Sequence, residues 1–263
     1  MGAPYYEDEL VTLYLGDCLD VLPEITGVDL VVTSPPYNLA GLPWAPLGHW
    51  RPGGASGSGG SGKWVTGAHS GTGVAYSDHA DDLPHEDYVA WQHEVLTACW
   101  GTLSDRGAIY YNHKPRVVGA HLWTPLELNP DLPLRQIIIW ARSGGMNYSR
   151  AAYVPTHEWI MVLAKPNFRL RDQSASGVGD VWRINQDTAN SHPAPFPLGI
   201  PARAIETTAP RVVLDPFAGS GTTLRAAATA GVRSIGIEKS EQYCEQIAKR
   251  LGQQAFDFGE WEA

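Results

Sequence analysis

The chain has 263 residues, 43% hydrophobic and 18% charged, with a formal net charge of −9. That length supports one domain with a substantial core, and no apolar run approaches the roughly 18 residues that read as a membrane span. Three scattered cysteines, Cys18, Cys99 and Cys244, argue against a disulfide framework or zinc site. The N-terminus lacks the basic region and apolar core of a secretory signal, so a soluble cytoplasmic protein is expected.

Val11 to Leu15 reads as a short strand, and Asp17 as the cap of a helix that Pro23 stops near Leu22. Val28 to Thr33 is a β-branched apolar run, as in a buried parallel strand. It delivers Ser34-Pro35-Pro36-Tyr37 at its C-terminal end, the edge where open α/β sheets bind ligands. From about 39 to 83 the pattern breaks into a stretch rich in Gly, Ser, Trp and His, read as a flexible insertion in a single 1–263 domain. A flap over a ligand and a tolerated linker are the two readings of it.

Order resumes with a helix from Pro84, carrying Trp91, Val95, Leu96 and Cys99 at helical spacing. Gly107 to Asn112 is the next strand. Ile137 to Trp140 and Trp159 to Leu163 are expected as an antiparallel pair late in the sheet. Val212 to Leu214 is a strand, Thr222 to about Ala230 a helix, Ser234 to Ile237 a strand, and Glu241 to Leu251 a final helix. The alternation predicts an α/β fold, a Rossmann-like three-layer sandwich with a mostly parallel sheet.

Two motifs carry chemistry. Asp215-Pro216-Phe217-Ala218-Gly219-Ser220-Gly221-Thr222-Thr223 joins a strand to a helix, and its glycines allow a tight turn and close approach of a ligand to the backbone. Glu238 follows the next strand, 23 positions after Asp215, where an acid can accept from ribose hydroxyls. The turn therefore suits a nucleotide-like cofactor. The earlier Ser34-Pro35-Pro36-Tyr37 offers a hydroxyl, rigid carbonyls without competing N–H groups, and an aromatic face.

Together these motifs resemble the amino-methylating DNA methyltransferases, and their order, catalytic before cofactor, is similar to the circularly permuted beta class. The resemblance implies S-adenosylmethionine as cofactor. It places Asp17 and Cys18 near the adenine, Asp215, Phe217, Gly219, Ser220, Gly221 and Thr222 around the methionine part, and Glu238 with Lys239 at the ribose. His192-Pro193-Ala194-Pro195-Phe196-Pro197 resembles the segment that encloses the methionine end, with Phe196 where many relatives have lysine. His157-Glu158 fits a His-Glu pair in relatives. No metal is implied.

By the same resemblance Ser34, Pro35, Pro36 and Tyr37 are catalytic. The lone pair of an exocyclic amine is delocalised into the base, and acceptors such as the Ser34 hydroxyl and the Pro35 carbonyl localise it for in-line attack on a sulfonium methyl. Tyr37 would stack on the base, which must first leave the duplex. No cysteine follows a proline, so attack through a covalent cytosine adduct finds no support. Serine at position 34 favours N4 of cytosine, because adenine-N6 enzymes usually carry Asp or Asn there. Adenine remains the alternative, ahead of RNA or protein methylation and of an inactive DNA-binding module.

The acidic net charge argues against a nucleic-acid partner, but it is uneven. Arg135 to Arg211 holds nine Lys and Arg against five Asp and Glu, a basic middle that can face phosphates. Double-stranded DNA is the expected partner, with a homodimer and a cognate restriction endonuclease as further implications of the resemblance. The ten tryptophans, several in or near the insertion, fit an interface.

Overall fold

The computed structural model describes residues 2–38, 83–118, 121–144, 150, 152–185 and 196–259, without the side chains of 118 and 253–259. Three sequence expectations fall outside these residues: the insertion apart from its last position, the stretch from His192 to Pro195, and the loop tryptophans.

In chain order the elements are β1 (Tyr6–Glu7), β2 (Val11–Leu15), α1 (Cys18–Val21), β3 (Val28–Thr33), α2 (His85–Thr102), β4 (Leu103–His113), β5 (Arg116–Val118), β6 (His121–Trp123), β7 (Leu134–Ala141), β8 (His157–Ala164), α3 (Gln173–Ser176), β9 (Val181–Arg183), α4 (Gly199–Thr208), β10 (Val212–Asp215), α5 (Thr222–Thr229), β11 (Arg233–Glu238) and α6 (Glu241–Gly259). Among the described residues, nine strands form one sheet in the order β1-β2-β11-β10-β3-β4-β8-β7-β9, and β5 pairs with β6 separately. The run β2-β11-β10-β3-β4 is parallel throughout. β8 runs antiparallel to both β4 and β7, which is the expected late antiparallel pair.

The central strands read as β-branched apolar runs because both faces are covered. Leu30, Val32, Val213 and Tyr110 pack on one side with α4 residues Ile200, Ala204 and Ile205. Val28, Val31, Ile109 and Leu214 pack on the other with α2 residues Tyr88, Val95, Leu96 and Cys99. Each fully buried aliphatic side chain contributes about 1.5–3 kcal/mol. Two glycines are fixed by geometry. A Cβ on Gly236 would lie 2.6 Å from Leu224 Cδ1, so glycine lets α5 sit on β11. Gly221 has φ +79°, and a Cβ there would lie 2.9 Å from Ile247 Cγ1.

The first helix ends within one residue of Leu22, just before Pro23, as expected. α1 closes at Val21, and Leu22–Glu24 continues as a 3-10 turn with Pro23 in its first positions, where no N–H is needed. Among the described residues, no helix is long and apolar enough to cross a membrane.

Candidate active site

Strand direction assembles the site. β2, β11, β10, β3 and β4 are parallel, so their C-terminal ends meet along one sheet edge. That edge carries Asp17, Glu238, Asp215, Ser34 and His113 just after or at the strand ends. β8 runs the other way, so its first residues, His157 and Glu158, arrive at the same edge. Residues from distant sequence regions are thereby brought together.

The glycine turn is held by carboxylates. Glu238 accepts from the Gly219 N–H at 2.7 Å and from the Ser240 N–H at 2.9 Å. Burial raises its ionisation value, and those two N–H bonds oppose the rise. A carboxylate has about four acceptor positions, so two bonds leave room for ribose hydroxyls. Asp17 caps α1 through the Leu19 N–H at 3.1 Å and meets Lys239 Nζ at 3.2 Å. Ser220 Oγ lies 3.3 Å from Thr222 Oγ1. Phe217 is part-buried, edge-on to Trp91 with ring centroids 5.6 Å apart.

Two of the expected cofactor residues turn inward. The Cys18 thiol is packed in the core, and burial, then Asp17, pushes it up to about 12. Its side chain is therefore a core group, and only its backbone lies at the edge. Asp215 is also buried and accepts at one oxygen from Thr33 Oγ1 at 2.8 Å and the Phe217 N–H at 3.1 Å. It ties β3, which leads into Ser34, to β10, which leads into the glycine turn. Burial raises it to about 6 against those hydrogen bonds.

Around Ser34 a polar network appears that the motifs alone do not announce. Ser34 Oγ lies 3.0 Å from the Tyr37 hydroxyl. That hydroxyl donates to Glu158 Oε2 at 3.0 Å. Asn112 Nδ2 donates to the Tyr37 hydroxyl at 2.6 Å, to Glu158 Oε2 at 3.0 Å and, at 3.4 Å, to Ser34 Oγ. Arg142 closes the far side, 3.3 Å from Glu158 Oε1. Burial, then Glu158, holds the Tyr37 phenol well above its ordinary value, so it keeps its proton.

The Pro-Pro segment is pinned from α2. The Tyr88 hydroxyl donates to the Pro36 carbonyl at 2.8 Å and lies 3.0 Å from His113 Nε2. His113 Nδ1 accepts from the Lys114 N–H at 2.9 Å, so the ring carries its proton on Nε2 and donates to Tyr88. Burial and then Arg116 keep His113 well below its ordinary value, hence neutral. With Pro36 engaged, the Pro35 carbonyl is the one the acceptor reading needs. Asn38 Nδ2 donates to the Leu83 carbonyl at 2.9 Å, bridging the two ends of the insertion.

Tyr37 differs from a free stacking platform. The His113 ring lies against it, with centroids 4.4 Å apart and tilted 32°, and the Arg116 guanidinium sits over it at 5.5 Å. Arg116 also donates to the Tyr37 carbonyl at 3.1 Å. Asn112, His113, Arg116 and Arg142 were not singled out from sequence. Their signal is positional only: they end or follow strands at the functional edge.

A family model described as DNA methylase, N6_N4_Mtase, matches residues 28–250. The type II methyltransferase M.ScaI of Streptomyces caespitosus is 28% identical, covering 97% of this chain and 86% of that protein. Among solved structures, the Thermus thermophilus protein TTHA0409, complexed with S-adenosyl-L-methionine, aligns with a TM-score of 0.60 at 24% identity over 92% of this chain and 93% of that one. PvuII DNA methyltransferase, cytosine-N4-specific, aligns with a TM-score of 0.68 at 16% identity, covering 94% of this chain and 88% of that one. At those identities the two structures speak for the fold, a Rossmann-like methyltransferase sheet.

Proposed function

The chain belongs to this DNA methylase family, and from that premise we propose that it methylates the N4 amino group of cytosine in double-stranded DNA. The methyl donor is S-adenosylmethionine, which supplies an electrophilic methyl group on a cationic sulfur when bound. The donor set fits it: Glu238 and Asp17 are acceptors for ribose hydroxyls and the adenine amine, and Gly219, Ser220 and Thr222 of the turn are only partly buried. Acidic groups also suit a sulfonium.

The observation that carries the reading is the half-buried Ser34 hydroxyl at the sheet edge, one strand from the glycine turn. Ser34 Oγ and the Pro35 carbonyl accept from the target amine. They draw its nitrogen toward a tetrahedral form whose lone pair can attack. The flipped base is bordered by the part of the Tyr37 ring that His113 and Arg116 leave uncovered. The amine is paired in the duplex, so flipping is required.

The family as matched spans both N6 and N4 chemistry, and adenine N6 is the second reading. Serine at position 34 supports cytosine. The test is duplex DNA incubated with tritiated S-adenosylmethionine and digested to nucleosides. Label in N4-methylcytosine is expected; label in N6-methyladenine would select the second reading.

Glu238→Ala weakens S-adenosylmethionine binding by about 1–3 kcal/mol, the cost of hydrogen bonds to a charged group, with calorimetry as the check. Wild-type affinity in that variant would remove Glu238 from the site. A cytoplasmic location, a cognate restriction endonuclease and a homodimer complete the proposal. A twofold assembly gives each strand of a palindromic site its own active site. Light scattering at twice 28.6 kDa is expected, and 28.6 kDa across micromolar concentrations would show a monomer.

A further inference from the structure

We propose that Glu158, acting through the Tyr37 hydroxyl, fixes the Ser34 hydroxyl as a hydrogen-bond acceptor for the target amine. The inference rests on the amino-methylation reading and deepens it. A serine hydroxyl can donate as well as accept. Only its accepting mode localises the lone pair of an amine, because a donated hydrogen bond would compete for that pair. A serine at this position therefore needs something to choose its mode.

The network makes the choice by its donor inventory. Glu158 is a carboxylate that only accepts, and it is 6% exposed. Asn112 must turn its amide nitrogen toward Glu158 Oε2, since the opposite flip would set two acceptors 3.0 Å apart with no proton between them. That nitrogen also donates to the Tyr37 hydroxyl. The single Tyr37 proton goes to Glu158, and the phenol does not lose it. The Tyr37 oxygen is then an acceptor toward Ser34, 3.0 Å away. Ser34 points its proton at Tyr37, accepts a long bond from Asn112 Nδ2 at 3.4 Å, and keeps a lone pair for the target amine. Arg142 holds the other Glu158 oxygen and keeps the carboxylate in place.

Glu158 is buried, with Tyr37, Asn112 and Arg142 on its two oxygens, and acts here as a positioning residue. Its effect must pass through the Ser34 oxygen. In Glu158→Gln the outer oxygen stays on Arg142 and an amide N–H faces Tyr37, which removes the bias on Ser34. A role limited to holding the fold would instead lower turnover whatever stands at position 34.

The test is a double-mutant cycle on the full-length chain with tritiated S-adenosylmethionine, duplex DNA and excess enzyme, so that slow variants are read in a single turnover. Glu158→Gln is expected to slow methyl transfer at least about tenfold, the scale of one misdirected hydrogen bond. Donor affinity by calorimetry should stay at the parent value, and transfer is measured well below the thermal midpoint, which falls because Arg142 loses its buried charge partner. In a Ser34→Ala background the same substitution is expected to cost less than about twofold, because the group it orients is gone. Equal fold losses in the two backgrounds, or no loss in the first, would overturn the inference while leaving the methylation reading intact. A parent protein that labels no DNA would overturn both.

Discussion

Ser34→Ala loses about two orders of magnitude in kcat and binds S-adenosylmethionine as the parent does. As the methyl moves, the amine nitrogen gains positive charge, and an acceptor within hydrogen-bond reach stabilises that charge more than the neutral amine before it. Only such differential contacts raise kcat. Removing one preorganised polar group at developing charge costs about 10²–10³-fold in comparable sites. Ser34 contacts Tyr37 and Asn112 but none of the residues that hold the glycine turn, so donor binding is separable. Single-turnover methyl transfer beside calorimetry reads the two quantities. Unchanged transfer would remove Ser34 from the reacting centre, and lost donor affinity would move it to the cofactor site.

Asp215→Asn changes how stability depends on pH. Burial raises the Asp215 carboxyl from an ordinary 3.8 to about 6. A carboxyl whose folded-state value lies above its unfolded value binds its proton first in the folded state as pH falls. The folded state thus gains relative stability from about pH 6 down to about pH 4, and lacks that gain above pH 6. The shift corresponds to about 3 kcal/mol at 1.36 kcal/mol per pH unit. Asparagine carries no charge, and its oxygen can keep both bonds that one Asp215 oxygen accepts from Thr33 and Phe217. The stability of the variant relative to the parent should therefore be about 2.5 kcal/mol greater at pH 8 than at pH 4, somewhat less than the full shift because the unfolded carboxyl is itself partly protonated at pH 4. Urea unfolding at the two pH values measures it. A difference independent of pH would mean that Asp215 is not titrating in that window.

The parts of the fold that were legible in the sequence share one physical cause. β3, β4, β10 and β11 are covered on both faces by helices, so each reads as an apolar run with clear ends. α2 shows its buried face as Val95, Leu96 and Cys99, and α6 as Ile247 and Leu251. What escaped is short or masked by prolines. β1 has two residues, and β5, β6 and β9 have three each, too few for a period to register. α4 carries Pro201 near its start and follows a proline-rich stretch, although a proline in the first turn costs no hydrogen bond.

The site shows a similar division. The motif residues Ser34 to Tyr37 and Asp215 to Thr222 announce themselves because their turns demand unusual residues. Asn112 does not, because it is a polar residue near the end of an apolar strand, and Glu158 is legible only as half of a His-Glu pair; the sheet register is what places both beside Tyr37. For Cys18 the sequence does not tell which way the side chain turns: it adjoins Asp17, and the first turn of α1 points its thiol into the core. Tyr37 was legible as an aromatic at the site, but not as the link between Ser34 and a carboxylate 121 positions away.

The central claim is that the Ser34 edge and the glycine turn act together on cytosine in DNA. It is tested most directly in cells expressing the parent protein or Ser34→Ala, by sequencing their DNA with a readout that separates N4-methylcytosine from N6-methyladenine. N4-methylcytosine at one recurrent short sequence is expected with the parent protein, and its loss with Ser34→Ala. N6-methyladenine at the recurrent site, or a mark that persists without the Ser34 hydroxyl, would contradict it.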